Sequence, residues 1–417
     1  MTTYNPNMQE DFKIDNLMAK KFENGMTGAE AIEQMRDFLK KQEKWPPNRE
    51  SVPEEWENAL LLRFFLGFKK QPDVAANAFG DMLEWREKND ANGIRAKIQG
   101  GLEPEKFPRY EQVRRFYPLL KTGIDRNGSP INITLTGMID PGKMLKTCSL
   151  DEIRMFIIYE MEYKIIKLST LTAETGVLYR ALEVHDLKGL GMHHLATGPV
   201  GLLRKIVSEV SANYVEMADK VLILNCPFAT LVRGVLRQVV PARSQHKLAV
   251  LGTNVEDYTS TLLAHADRDQ YDECIFGGDL PAGLGQRPGE EDEMLKWKEV
   301  TIPARDKRVV EQAVEAGQTV FYQIFPEALD IGVSIKFVAA QGGKTEDIFS
   351  PSERVSSLQR GSHNCSANGT LSMTLDNSFS YLKQKVCRYD WEILQMKLDD
   401  KELAGSDDDE DDDELVS

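Results

Sequence analysis

An α/β domain on a mixed, mostly parallel sheet, with a small helical module before it and an all-β sandwich after it, is the architecture written into the residue patterning. Residues 178–285 read strand, helix, strand, helix, strand. Beyond residue 299 apolar and polar residues alternate strictly, the period of a half-buried strand. Residues 53–97 instead place apolar side chains at helical spacing. A chain of 417 residues, 41% hydrophobic and 28% charged, is long enough for two or three such domains.

Residues 1–26 are polar and expected to be loose. Thr27, with Glu30 three places on, forms a capping box for a helix reaching about Lys44, and Trp45-Pro46-Pro47 ends it. Residues 1–52 therefore read as an N-terminal extension with one helix. In the module at 53–105 two helices are expected, the first with Trp56, Leu60, Leu61 and Phe64 on one face, the second with Val74, Ala78, Met82 and Trp85.

The α/β domain spans 106–285. Ile131, Ile133 and Leu135 alternate with Asn132 and Thr134 as a hairpin strand. A capping box at Ser149 and Glu152 then opens a helix whose Ile153, Ile157, Met161, Ile165 and Leu168 form an apolar stripe suited to covering a sheet. Leu178, Leu182 and Val184 alternate with polar neighbours, whereas Val221–Leu224 and Lys247–Leu251 are short apolar runs, the signature of covered strands. Between the last two, Pro227 sits where a helix can start, and Phe228, Leu231, Val232, Val235, Leu236 and Val239 fill more than one of its faces. Arg233 and Arg237 share the remaining face. Two readings stand for this helix: an ordinary core element, or a movable lid over a hydrophobic cavity with its arginines turned to phosphate or a membrane surface.

Gly, Pro and acidic residues mark a linker at 286–298. In the segment 299–398, Ile331, Val333, Ile335 and Phe337 alternate with Gly332, Ser334 and Lys336, and Cys387, Tyr389, Trp391 and Ile393 with Arg388, Asp390 and Glu392. With Thr319–Phe325 and Leu371–Leu375 added, a β-sandwich of about 100 residues is expected. Residues 399–417 hold eleven acidic groups and one lysine, ten of the chain's fifteen net negative charges, so they form an acidic tail too charged to pack. The other 398 residues are only mildly acidic.

Three motifs in order carry a family resemblance. Asp186-Leu187-Lys188-Gly189-Leu190, Asn225-Cys226-Pro227-Phe228 and Phe276-Gly277-Gly278 resemble the CRAL-TRIO lipid-binding family, with Leu61-Leu62-Arg63-Phe64-Phe65-Leu66, Glu84-Trp85-Arg86 and Gly123–Ile131 resembling the preceding helices and opening hairpin. The match covers roughly 55–285. The resemblance implies an α/β lipid-binding domain whose pocket and gate are lined by Ile131, Ile133, Leu135, Leu182, Val184, Tyr214, Leu222, Leu224, Phe228, Leu231, Val232, Val235, Leu236 and Val239. In members that bind phosphatidylinositol an acidic residue and a lysine hold the inositol phosphate. Arg237 falls near the lysine's place, whereas Lys205 falls near the acid's, a departure from the inositol-binding pattern; Arg233, Arg237 and Lys205 are the candidate head-group or membrane contacts. Asp330-Ile331-Gly332-Val333 and Asp376-Asn377-Ser378-Phe379-Ser380, followed by Lys385-Val386, resemble a GOLD domain, the β-sandwich of secretory-trafficking proteins.

Other classes are disfavoured by their missing chemistry. The chain has no basic tract suited to nucleic-acid phosphates, no apolar run of the ~20 residues a membrane helix needs, and no signal-peptide pattern. Cys148, Cys226, Cys274, Cys365 and Cys387 are odd in number and widely spaced, which fits free thiols in a reducing compartment. The sequons at Asn132, Asn364 and Asn368 are then expected to stay unmodified. Gly137–Lys143 reads as a phosphate-loop pattern, but Met144 replaces the magnesium-ligating hydroxyl residue. His185, His193 and His194 lie near Asp186 without a nucleophile elbow or a zinc spacing. Gly189-Leu190-Gly191 is too short for a dinucleotide fingerprint.

The expected function is therefore a cytoplasmic lipid-binding and lipid-transfer protein, peripheral at membranes, that makes and breaks no bond and needs no cofactor beyond its bound lipid. Its partners would be a phospholipid or other hydrophobic small molecule, a membrane in transient contact, and a protein reached through the GOLD-like sandwich, with no nucleic acid among them. The alternative is a lipid-sensing adaptor acting through that sandwich without net transfer. Ser406, ahead of an acidic run, resembles an acidophilic-kinase site.

Overall fold

A computed structural model describes residues 8–394 apart from 121–122, 192–193, 195–196, 227–228, 282–283, 285–296, 328–329, 341–342, 344 and 352. The acidic tail with Ser406, and nearly all of the expected linker, lie outside the described residues. The chain divides into two compact units, one made of residues 1–190, 202–229 and 236–286, the other of 191–201, 230–235 and 287–417.

The first unit begins with α1 (Met8–Asp11), α2 (Ile14–Ala19), α3 (Gly28–Lys41), α4 (Glu57–Gly67), α5 (Pro72–Lys88) and α6 (Ala91–Gln99). Residues 8–19, expected to be loose, are helical because something holds them. Leu17 is buried in the module's core together with Phe22, Ile14 N donates to Gly176 O at 2.8 Å, and Leu178 N donates to Phe12 O at 2.8 Å. The capping box at Thr27 and Glu30 is formed as the sequence indicates. The second expected helix of the module is broken in two, since Asp90 adopts a left-handed conformation at φ +53° between α5 and α6.

Next come α7 (Tyr110–Arg114), β1 (Leu119–Leu120), β2 (Ile131–Thr134), α8 (Pro141–Thr147) and α9 (Leu150–Thr175), then β3 (Ala181–Asp186), α10 (Thr197–Asn213), β4 (Ala218–Leu224), α11 (Ala229–Val239), α12 (Ala242–Gln245), β5 (Leu248–Val250) and α13 (Val255–His265). The five strands form one sheet in the order β1-β2-β3-β4-β5. The β1–β2 pair is antiparallel and the rest are parallel, so the sheet is mixed and mostly parallel, with helices around it. Ser149 and Glu152 cap α9 reciprocally, and Gly176 ends it at φ +72°.

Buried charge joins the helical module to the sheet. The Arg63 guanidinium donates to Tyr179 O and Glu216 O, both at 2.5 Å. Glu216 in turn pairs with Arg180 at 3.1 Å and Lys247 at 2.7 Å. Farther along, Glu162 of α9 is fully buried and receives Arg86 at 2.7 Å, Arg95 at 2.8 Å and the Tyr214 hydroxyl at 2.7 Å. Buried carboxylates persist where donors saturate them in this way.

The second unit contains β6 (Lys298–Ile302), β7 (Lys307–Val314), β8 (Thr319–Pro326), β9 (Gly332–Ala339), β10 (Thr345–Phe349), β11 (Gln359–Asn364), β12 (Gly369–Asp376) and β13 (Lys385–Leu394). They make two four-stranded antiparallel sheets, β10-β9-β12-β7 and β11-β8-β13-β6. The alternating residues read from the sequence meet as expected, with Ile335, Phe337, Leu371 and Met373 packed with Tyr322, Ile324, Cys387 and Trp391. Strands β6, β7 and β10 carry too many exposed polar residues, and β11 no large apolar residue, to stand out by pattern alone.

Candidate functional site

The family-like motifs hold strand ends together. Buried Asp186, at the end of β3, accepts from Lys188 N at 3.0 Å and from Asn225 Nδ2 at 2.7 Å, tying β3 to β4. Tyr258 of α13 donates to Ile275 O at 3.0 Å. Gly137 is required by close approach, because a Cβ there would lie 2.4 Å from Lys188 O and 2.5 Å from Leu187 O. Asp140 caps α8 by accepting from Lys143 N at 2.8 Å. The phosphate-loop pattern is therefore a turn and a helix cap.

The two faces of the sheet differ sharply. On one, the expected pocket residues Ile131, Ile133, Leu135, Leu182, Val184, Leu222 and Leu224 are brought together, each no more than 3% exposed, and packed with Tyr258 and Leu262 of α13 and with Tyr271, Cys274 and Ile275. This face is filled by the protein's own side chains.

The other face is polar at one end and apolar at the other. The parallel register sets Asn132 beside Glu183 beside Val221, and Thr134 beside His185 beside Ile223, with Leu248 and Val250 next in the two rows. From α9, Lys164 reaches this face and pairs with Glu183 at 2.8 Å, while Asn132 Nδ2 donates to the same carboxylate oxygen at 3.0 Å. The His185 ring nitrogen Nδ1 lies 2.9 Å from Thr136 Oγ1. Asn132, Glu160, Lys164, Glu183, His185, Val221, Leu248 and Val250 all keep accessible surface.

Burial governs the protonation of this network. It opposes the Glu183 charge, but Lys164, His185 and the hydrogen bonds prevail and hold that carboxyl below its ordinary value. It lowers His185 below the usual imidazole range despite the pull of Glu183, which keeps the ring neutral near pH 7. Burial pushes Glu160, one turn before Lys164, up to about 7, and Glu160 has no hydrogen-bond partner among the described residues. The Tyr117 hydroxyl is likewise raised by burial, then by the charges of Glu160 and Glu183. Fixed donors and acceptors beside an apolar strip can orient an amphipathic molecule. Among the described residues no group of three side chains is arranged to hold a metal.

The remaining candidates fall elsewhere. Tyr214 is 5.7 Å from Trp85, edge to face, and donates to Glu162. It borders a small cleft, little larger than a water molecule, shared with Trp85, Arg154, Ile157, Ile158, Ile206, Glu209 and Val210. On α11, Val232, Val235 and Val239 are buried, Leu236 is half-buried, and Arg233 and Arg237 are exposed. Lys205 is exposed on α10. Phe228, the Leu231 side chain and His193 lie outside the described residues. His194 Nδ1 accepts from Gly191 N at 2.9 Å.

Sequence reasoning passed over Tyr117, Glu160, Lys164 and Glu183. A signal was present: Glu183 and His185 occupy alternate positions of a strand covered by helices, where apolar residues are the rule. Nothing in the sequence states which face α9 would cover.

Residues 116–278 match the model of the CRAL/TRIO domain. The phosphatidylinositol/phosphatidylcholine transfer protein SFH7 of Arabidopsis thaliana is 25% identical over 251 residues, covering 60% of this chain and 43% of that one. Its counterpart SFH4 is 24% identical over 276 residues, covering 64% and 42%. The Sec14 cytosolic factor of Schizosaccharomyces pombe is 25% identical over 246 residues, covering 57% of this chain and 78% of that one. The match thus spans less than half of the length of these two plant relatives. Among the described residues no helix is long and apolar enough to cross a membrane. Between residues 116 and 278, then, this chain is similar to the CRAL/TRIO domain, and the proteins it resembles include phosphatidylinositol/phosphatidylcholine transfer proteins and a Sec14 cytosolic factor.

Proposed function

We propose that the protein is a cytoplasmic lipid carrier that takes up a phospholipid or similar amphipathic molecule against the second face of its sheet and exchanges it at membranes. One observation supports this most: a sheet sealed by side chains on one side keeps accessible apolar and polar groups on the other. In this reading the hydrocarbon lies along Val221, Ile223, Leu248 and Val250, and the polar end meets Lys164, Glu183 and His185. Enclosing an acyl chain of roughly 16 carbons gains on the order of 12 kcal/mol, at about 0.8 kcal/mol per methylene. A bilayer offers nearly the same gain, so exchange at its surface is close to neutral and is controlled by whatever opens the site. Residues 228–240 are the proposed gate, supported by the division of α11 into buried valines and exposed arginines. The sandwich, which resembles a GOLD domain, is proposed to direct the carrier to a membrane or protein.

The test is mass spectrometry of lipids that co-purify with the chain, alongside Val221→Trp, which fills the apolar end of the second face. Lipid occupancy is expected to fall at least about tenfold with the circular dichroism spectrum preserved. A Trp variant that still carries lipid at the original level removes the second face from consideration.

A further inference from the structure

The loop between β12 and β13 holds apolar side chains out in water on a rigid mount. Tyr381 is 73% exposed and Leu382 is 93% exposed. The loop beneath them is fastened at several points. Buried Asn377 donates through Nδ2 to Ile302 O at 3.1 Å, Pro303 O at 3.0 Å and Lys383 O at 3.0 Å. Arg305 N donates to Asn377 O at 3.2 Å and Ser380 O at 3.0 Å, and Ser380 Oγ donates to Lys383 O at 2.9 Å. So many bonds spent on displaying a tyrosine and a leucine to solvent would serve no purpose in an isolated domain.

Cations surround the same apex. The Arg305 guanidinium lies 4.7 Å over the Tyr381 ring, and Arg354 and Lys385 lie 4.1 and 4.0 Å from the Phe379 ring. Around the β6–β7 turn and this loop, Lys307 pairs with Asp376, Arg308 with Asp306, and both Arg354 and Lys385 with Asp330. Among the described residues Arg305 and Lys383 have no acidic ion-pair partner. An amphipathic ring and a leucine at the tip, with cations one layer behind, match the depth profile of a membrane interface: apolar groups in the acyl boundary, tyrosine among the head groups, lysine and arginine against lipid phosphates.

We propose that the Tyr381-Leu382 apex, with Arg305 and Lys383, is a docking site for an anionic lipid surface. It is independent of ligand uptake in the α/β domain. The full chain is expected to float with vesicles of phosphatidylcholine containing about a third phosphatidylserine, to ignore phosphatidylcholine alone, and to detach as salt screens the charges. Leu382→Glu, and separately the pair Arg305→Glu with Lys383→Glu, should each reduce the bound fraction at least about tenfold, while uptake of lipid delivered from detergent stays at the wild-type level. The proposal is overturned if Leu382→Glu binds vesicles like the wild type, or if neutral and anionic vesicles bind equally. It is also overturned if light scattering shows a wild-type dimer that Leu382→Glu dissolves, since a second copy would then be the occupant. Because Leu382 is exposed, its replacement leaves the thermal midpoint in place and these outcomes readable.

Discussion

Glu160 and Glu162 stand two positions apart on α9 and meet opposite fates. Glu162 is saturated by Arg86, Arg95 and Tyr214, and although burial opposes its charge, the two arginines hold its carboxyl below the ordinary value. Glu162→Gln leaves two buried guanidinium groups without their counter-charge, so a loss of about 3–5 kcal/mol in urea denaturation is expected. Glu160, which lacks such donors, is pushed up to about 7. An unfolded glutamate ionises near 4.5, so between pH 4.5 and 7 the unfolded state binds fewer protons and stability falls as pH rises. Glu160→Gln lacks that slope. Its advantage over the wild type should be absent at pH 4, grow through this window and level off above pH 7, reaching on the order of 2 kcal/mol, a value reduced from the full shift because the carboxyl keeps some accessible surface. A pH-independent difference between the two proteins would contradict this assignment.

The elements are joined by a few buried cations rather than by apolar packing alone. Arg63 projects from α4 to the carbonyls of Tyr179 and Glu216, ahead of β3 and β4, and burial lowers its guanidinium to about 10. Arg63→Met would strand both carbonyls, at an expected cost of roughly 2–4 kcal/mol in thermal unfolding. Arg63→Lys should recover little, because a single ammonium does not reproduce the planar fork. Hydrogen exchange would show the loss as faster opening of α4. The same scale explains the sequence reading. Capping boxes at Thr27 and Ser149 and the alternation in β9, β12 and β13 were legible because they are local. The extra helices at residues 8–19 were not, because they rest on backbone bonds to residues 176–178.

Across the whole molecule, all five cysteines are buried and none forms a disulfide. Burial pushes Cys365 up to about 11 and Cys387 up to about 12, and raises Cys148 as well. A thiol reagent at pH 8 should therefore find no fast-reacting group in the native protein and five after denaturation. A rapid native thiol would show that one of these sites opens.

Residue order alone points to the longer helices and the alternating strands, to differently built regions following one another, and to a CRAL-TRIO-like stretch in the middle, since periodicity, caps and motifs act over a few neighbouring positions. Only the tertiary structure decides which side of the sheet is sealed. A strand alternates its side chains between two faces, and nothing within it says which face α13 will fill and which will keep Glu183, His185 and Val221 accessible. That choice depends on groups on separate elements, whose distances exist only once the chain has folded.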